Sequence, residues 1–263
     1  MRCNLRIKFW LLALIGIPMA TDAMAEFKPG DVFREYYWRP EGKWQRVTGP
    51  DATHEGAQRF LPNAVNTILI DDLENAARIE AVVEMLLCHG GTVNKRMRVN
   101  QNHWISIPES SLIPGEVGTG GPRDEYQSMR YPWVEIPLDQ IQEGENTFEF
   151  TCSGGTALGK RWPQWILYGV TFRVYYDQVK PHPTGSIVSP SAGASHGSPP
   201  VLEVQASGTH PIRQVDYIGF YEDFNWEGDG EYRQWHHRTL FGSLYNHIGS
   251  ATETPFRVTW DTS

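Results

Sequence analysis

Polar and apolar positions alternate over long stretches of this chain. In "ARIEAVVEMLLC", Ala77, Ile79, Ala81, Val83, Met85 and Leu87 fall on one side, with Arg78, Glu80 and Glu84 on the other. A period of two belongs to an extended strand, whose successive side chains point to opposite faces. Ile79, Val82, Val83 and Leu86 also fit a helical stripe, so a helix competes here. The "HGG" that follows, and then "KRMRVN", favours a hairpin. "HWISIP", "WVEIPL", "NTFEFTC" and "WILYGVTFRVYY" predict further strands, and "LDQIQEGEN" predicts a turn, with one helical turn ended by Gly144. The pattern breaks at "DQVKPHPTG", where two prolines and a glycine read as a linker. Beyond it, "GSIVSP", "VLEVQA", "QVDYIGFYEDF", "LYNHIGSAT" and "PFRVTW" predict a second set of strands. Phe256, Val258 and Trp260 alternate to one face, as a half-buried strand requires.

Composition agrees with this pattern. The chain holds 10 Trp, 11 Tyr and 11 Phe, punctuated by 25 Gly and 18 Pro. Short aromatic and β-branched runs separated by Gly and Pro predict an all-β fold of sandwich type. The first 25 residues read differently. Arg2, Arg6 and Lys8 precede the apolar run "FWLLALIGIPMA", and "AMA" supplies a small-x-small cleavage pattern before Glu26. That run is too short to cross a bilayer of about 30 Å as a helix. The expected organisation is therefore a signal peptide over 1–25, a first unit over 26–177, a linker over 178–185 and a second unit over 186–263. Secretion follows, with no stable membrane insertion once the leader is removed.

Charge and cysteine content narrow the partners. The formal net charge is −8. An acidic chain is a poor partner for nucleic acid or anionic lipid, and "NKRMR" is its one compact basic cluster. Cys3 lies in the leader, so Cys88 and Cys152 remain. Two cysteines in an exported protein suggest one disulfide, Cys88 to Cys152, stabilising by about 4 kcal/mol in the chain-entropy model. Two buried thiols are the alternative.

The densest polar stretch is "DFNWEGDGEYRQWHH". Asp223, Asn225, Glu227 and Asp229 occupy every second position around Gly228, as in the first half of an EF-hand calcium loop. Glu227 stands where a shorter side chain is usual, and Gln234 stands where a bidentate Glu would close the site. A solvated acidic hairpin tip competes with a calcium site. His236 and His237 are adjacent, so a strand would point them to opposite faces and they cannot easily share one metal. "GGTALGKR" has the glycines and lysine of a phosphate loop, but Arg161 replaces the Ser or Thr that would hold Mg²⁺, so it reads as a plain loop. No G-x-S-x-G, H-E-x-x-H or C-x-x-C motif occurs.

Aromatic residues are the stronger functional lead. His103, Trp104, Tyr126, Tyr131, Trp133, Trp162 and Trp165 lie in or beside predicted loops of the first unit. Sugar C–H faces stack on such rings while their hydroxyls bond polar neighbours, here Asn102, Arg123, Asp124 or Arg130. A β-sandwich also buries many aromatics, and "WPQW", at the start of a strand, fits a core.

Two resemblances add to this reading. "VNQNHWISIP" (Val99–Pro108), "IPLDQIQEGENTFEFTC" (Ile136–Cys152) and "YGVTFRVYYD" (Tyr168–Asp177) resemble the galactose-binding-like jelly rolls common among carbohydrate-binding modules. In their "L-x-x-G-x-N" piece, the Asn can hydrogen-bond the backbone of its turn. Val215, Tyr217, "HIGSAT" (His247–Thr252) and "TPFRVTWD" (Thr254–Asp261) resemble bacterial Ig-like domains of secreted surface proteins. The second match departs in its long segment from Glu222 to Tyr245 and lacks the family's final strand. It therefore implies an incomplete sandwich within a longer protein, with an unpaired edge. Together they imply a jelly-roll sandwich followed by an incomplete Ig-like sandwich. The expected function is non-catalytic binding of carbohydrate by a module of a larger extracellular protein. A structural or adhesive surface protein, and an accessory region of a polysaccharide-degrading enzyme, are the alternatives.

Overall fold

The computed structural model describes residues 30–87, 89, 91–108, 129–154, 156–157, 159–196, 199–218, 220–221, 234–235, 238–240, 243–245 and 248–261. The protein is all-β. Its first strands are β1 (Val32–Trp38), β2 (Gln45–Thr48), β3 (Val65–Ile70), β4 (Ala76–Leu87), β5 (Thr92–Val99) and β6 (Ile105–Ser106). There follow β7 (Met129–Arg130), β8 (Trp133–Ile136), β9 (Gly144–Gly154), β10 (Thr156–Ala157), β11 (Lys160–Arg161) and β12 (Gln164–Tyr176). Among the described residues one short helix, α1 (Glu55–Gln58), and a 3-10 turn at Leu138–Gln140 interrupt them.

Strands β10 and β11 pair in a small two-stranded sheet, and two large antiparallel sheets build the body of the first unit. One runs β1-β12-β4-β7, with β2 continuing along β12 and β8 along β4. The other runs β3-β9-β5-β6. Alternation explains why they stack. Ile79, Ala81, Val83 and Met85 of β4 and Val170, Phe172 and Val174 of β12 point inward, to meet Ile68 and Ile70 of β3, Met97 and Val99 of β5, and Phe148 and Phe150 of β9. Phe148 is the hub, with ring edges against Trp38, Phe150 and Phe172 at centroid distances of 5.0, 5.9 and 5.2 Å. Edge-to-face geometry suits the ring quadrupoles. Trp165 is fully buried beside Phe150, so the second Trp of "WPQW" is core.

The turn expected at Gly144 and Asn146 forms, with Ile141 in the place of the motif's Leu. Asn146 accepts from Gln142 N and donates to the carbonyls of Gln142 and Gly144, while Gly144 takes φ +100°. The hairpin expected between "ARIEAVVEMLLC" and "KRMRVN" does not form. The strand β4 pairs with β12 along one edge and with β7 and β8 along the other. A strand has only two hydrogen-bonding edges, so β5 cannot pair with β4 and instead crosses to the opposite sheet beside β9.

The second set comprises β13 (Thr184–Ser189), β14 (Val201–Ser207), β15 (Val215–Tyr217), β16 (Phe220–Tyr221), β17 (Gln234–Trp235), β18 (Arg238–Leu240), β19 (Ser243–Tyr245), β20 (Gly249–Ala251) and β21 (Phe256–Thr259). Strands β13, β14 and β21 form one sheet and β15 pairs with β20. A separate small core of Leu202, Tyr217, Ala251 and Phe256 joins them, with Val258 and Trp260 packed against it. The expected alternation of Phe256, Val258 and Trp260 is observed.

Candidate functional site

The outer face of the six-stranded sheet carries the chemistry. Register aligns its side chains in rows across the strands: Phe33, Tyr175 and Arg78; then Glu35, Arg173, Glu80 and Glu135; then Tyr37, Thr171, Val82 and Trp133. These are the alternate residues of the strands whose other face makes the core. An outward face is usually wet. Here its centre is closed, with Glu80, Glu84, Thr171, Arg173 and Tyr175 all at most 3% exposed. At the rim Phe33, Tyr37, Tyr131 and Trp133 keep part of their surface exposed.

Arg173 organises the centre. It donates through Nη1 to Glu80 Oε1 at 2.5 Å, and through Nε and Nη2 to Glu35 Oε1 at 2.9 and 2.7 Å. The Tyr175 hydroxyl donates to Glu80 Oε1 at 2.7 Å, and Arg78 Nη1 donates to Glu80 Oε2 at 3.2 Å. The Arg173 guanidinium also lies 5.2 Å from the Phe33 centroid and 4.9 Å from that of Trp133. Burial works against the Arg173 cation, but Glu35, Tyr175 and Glu80 outweigh it, and the guanidinium stays charged. Burial raises the Glu80 carboxyl above its ordinary value, against the opposing pull of Tyr175 and Arg173. Burial likewise pushes the Tyr175 phenol up to about 12.

A second acid, Glu84, accepts from the Tyr37 hydroxyl at 3.3 Å. Burial and the neighbouring Glu84 charge hold the Tyr37 phenol above its usual value. Space for this pair comes from Gly169, where a Cβ would stand 2.5 Å from Tyr37 Oη and 2.9 Å from Glu84 Oε2. The pairing register of β12 with β4 shifts at the same place, between Leu167 and Gly169. The extra residue lets both Leu167 and Val170 face the core.

The aromatic residues expected to bind sugar are placed in three regions. Trp133 lies on this face, and Tyr131 is close enough to act on the Tyr37 phenol. Arg130 sits in β7, its backbone opposite Met85. Trp104 belongs to the opposite sheet, where its ring lies 4.5 Å from the Arg98 guanidinium; His103 beside it is exposed. Trp162 lies at one end of the sandwich. His54 stacks on it at 4.5 Å, and His89 meets it edge-on at 5.0 Å, with Nδ1 2.6 Å from the Trp162 carbonyl oxygen. One face of that indole is thus already occupied. Tyr126 lies outside the described residues, as do Asp223, Asn225, Glu227 and Asp229 of the calcium motif. Among the described residues no group of three acids, histidines or cysteines is placed to hold a metal. Cys152 is buried in the core with Sγ 3.9 Å from Val47 O, whereas Cys88 lies outside the described residues, and no disulfide is found among them.

Phe33, Glu35 and Tyr37 of β1, and Glu80, Arg173 and Tyr175, are not among the residues the sequence singles out. The available signal was a charge embedded in a long apolar strand, as in "IEAVVEM" and "VTFRVYY". No family model matches the chain, and no curated protein matches its sequence. Among the described residues no helix is long and apolar enough to cross a membrane.

Proposed function

We propose that the chain is an exported, non-catalytic carbohydrate-binding protein, and that the outer face of the six-stranded sheet is its binding surface. The observation that carries this reading is the set of part-exposed rings, Phe33, Tyr37, Tyr131 and Trp133, set around a rigid floor of Glu80, Arg173 and Tyr175. Sugars offer flat C–H faces to rings and hydroxyls to charged or polar groups at the rim, here Glu35 and Glu135. A cross-braced floor fixes the rings before a ligand arrives, which lowers the ordering cost of binding. Binding without catalysis fits the state of the buried acid. Both Glu80 oxygens accept from arginine or tyrosine donors, which leaves that carboxylate committed to structure.

In this reading the first unit is a galactose-binding-like jelly roll, and the unit after the linker is an Ig-like spacer. A cleaved leader over residues 1–25, a Cys88–Cys152 bond and calcium at Asp223 to Asp229 complete the picture of an extracellular protein. Terbium luminescence sensitised by Trp226 and displaced by calcium would support the metal loop. Silence at millimolar lanthanide would remove it.

The surface is tested by affinity electrophoresis of residues 26–263 through gels holding neutral polysaccharides such as dextran, galactan, xyloglucan and β-glucan. Trp133→Ala and Phe33→Ala should each weaken retention by about tenfold, a typical loss for one stacked ring, with near-native circular dichroism. Unchanged retention in both folded variants would move the site elsewhere. Retention of the native chain by no polysaccharide would count against the whole reading.

A further inference from the structure

The opposite sheet holds a second constellation, built around Arg96. The strand β5 alternates Met97 and Val99 into the core, which places Arg96 and Arg98 together on the outer face. Trp104 shares that face, 5.7 Å from the Arg96 guanidinium and 4.5 Å from that of Arg98. The two arginines then differ. Arg98 Nε donates to Glu149 Oε1 at 2.7 Å, so its charge is matched. Among the described residues Arg96 pairs with no carboxylate, and its Nε is buried without a hydrogen-bond partner.

The neighbours of Arg96 are suited to an oxyanion. Its cross-strand partners are Ser106 on one side and Thr151 on the other, so a hydroxyl residue sits beside Arg96 on each adjacent strand. A guanidinium offers five donors in a planar fork, the geometry that matches a carboxylate or sulfate. Arg96 is only half-buried, so the Nη side of its guanidinium stays within reach of an anion, which would add charge-assisted hydrogen bonds there. The Trp104 ring lies within cation–π range of both arginines and keeps part of its own surface exposed.

We propose that Arg96, flanked by Ser106 and Thr151 and supported by Trp104, binds the carboxylate or sulfate of an acidic saccharide, at a site separate from the six-stranded face. That the anion is carried on a saccharide rests on the carbohydrate reading above. The oxyanion site itself does not.

Two experiments on residues 26–263 keep these apart. The first compares electrophoretic retention by dextran, dextran sulfate and polygalacturonate. Arg96→Gln should weaken retention by dextran sulfate or polygalacturonate at least tenfold, equivalent to about 1.4 kcal/mol, with any retention by dextran unchanged. Arg96→Lys should recover only part of the loss, because it restores charge without the fork. Trp133→Ala should leave the Arg96-dependent retention intact. Loss on dextran sulfate alone marks the anion as a sulfate, and loss on polygalacturonate alone marks it as a uronate. The second follows the arginine Nε–H resonances by NMR during titration with sodium glucuronate, sodium sulfate and methyl glucoside. The Arg96 signal should move with an anion and not with the neutral sugar. A move with free anions but no Arg96-dependent polymer retention would sink the saccharide part and keep the oxyanion site. Equal retention of native and Arg96→Gln protein by both acidic polymers, together with an Arg96 resonance that neither anion moves, would overturn the proposal. Dextran retention that depends on Trp133 would survive that result and leave the six-stranded site standing.

Discussion

Replacing Arg173 by Met tests whether the buried polar floor holds the first sheet together. The substitution keeps an apolar stem of similar length and removes the cation. It breaks the bond from Nη1 to Glu80 at 2.5 Å, both bonds to Glu35, and the contacts with the Phe33 and Trp133 rings. Glu35 has one-third of its side chain exposed and can turn to water. Glu80 is 1% exposed and keeps only the Tyr175 hydroxyl and Arg78 as donors. Breaking a buried pair from one side costs about 3–5 kcal/mol, because the remaining charge is uncompensated. For a unit of this size that corresponds to a fall of roughly 6–20 °C in Tm. A second substitution, Glu80→Leu in the same chain, should return most of the loss, since an apolar pair of similar volume replaces a buried ion pair at little cost. About 1 kcal/mol should persist, because Tyr175 then lacks its acceptor. Urea denaturation followed by tryptophan fluorescence measures both steps. A loss below 1 kcal/mol for Arg173→Met, or a double variant no more stable than the single, would show that the network is ornamental.

Further substitutions probe neighbouring features. Burial raises the folded-state value of Glu80, so its contribution is fully present below the ordinary glutamate value of about 4.3 and is lost as pH rises through the raised value. Glu80→Gln should therefore gain on the native chain in urea midpoint as pH rises from acid to neutral; a difference that instead widens toward acid would mean that Arg173 dominates. Asn146→Ala removes the acceptor of Gln142 N and the donor to two turn carbonyls at a fully buried position, and should cost about 2–4 kcal/mol by chemical denaturation. A loss within 0.5 kcal/mol, the usual range at a site without such features, would mean that the turn stands without the Asn. Gly169→Ala pushes a methyl against Tyr37 Oη and Glu84 Oε2 and should destabilise by about 1–3 kcal/mol, while Gly159→Ala, with open space around its Cβ position, reports the backbone effect of a positive φ alone. Equal losses at the two glycines would argue against a role for the Tyr37–Glu84 pair.

Much of the fold was written locally. The inward set of β4, the alternation of Phe256, Val258 and Trp260, and the Asn146 turn depend on residues a few positions apart. Side-chain direction along a strand and turn hydrogen bonding are local physics, so a single sequence carries them. Which strands pair was not written there. The "HGG" segment joins two strands that look like hairpin partners, but both β4 edges are taken by β12, β7 and β8, and β5 lies in the other sheet. The sites were hidden for the same reason. Glu35, Glu80 and Arg173 are separated by 93 to 138 positions in their pairings, and Arg96 gains Ser106 and Thr151 as neighbours only through register. An alternating sequence says that a charged residue faces away from the core. Whether that second face meets water, another charge or a ring is decided when distant strands are brought side by side, because hydrogen-bond register, unlike strand propensity, is a property of the whole sheet.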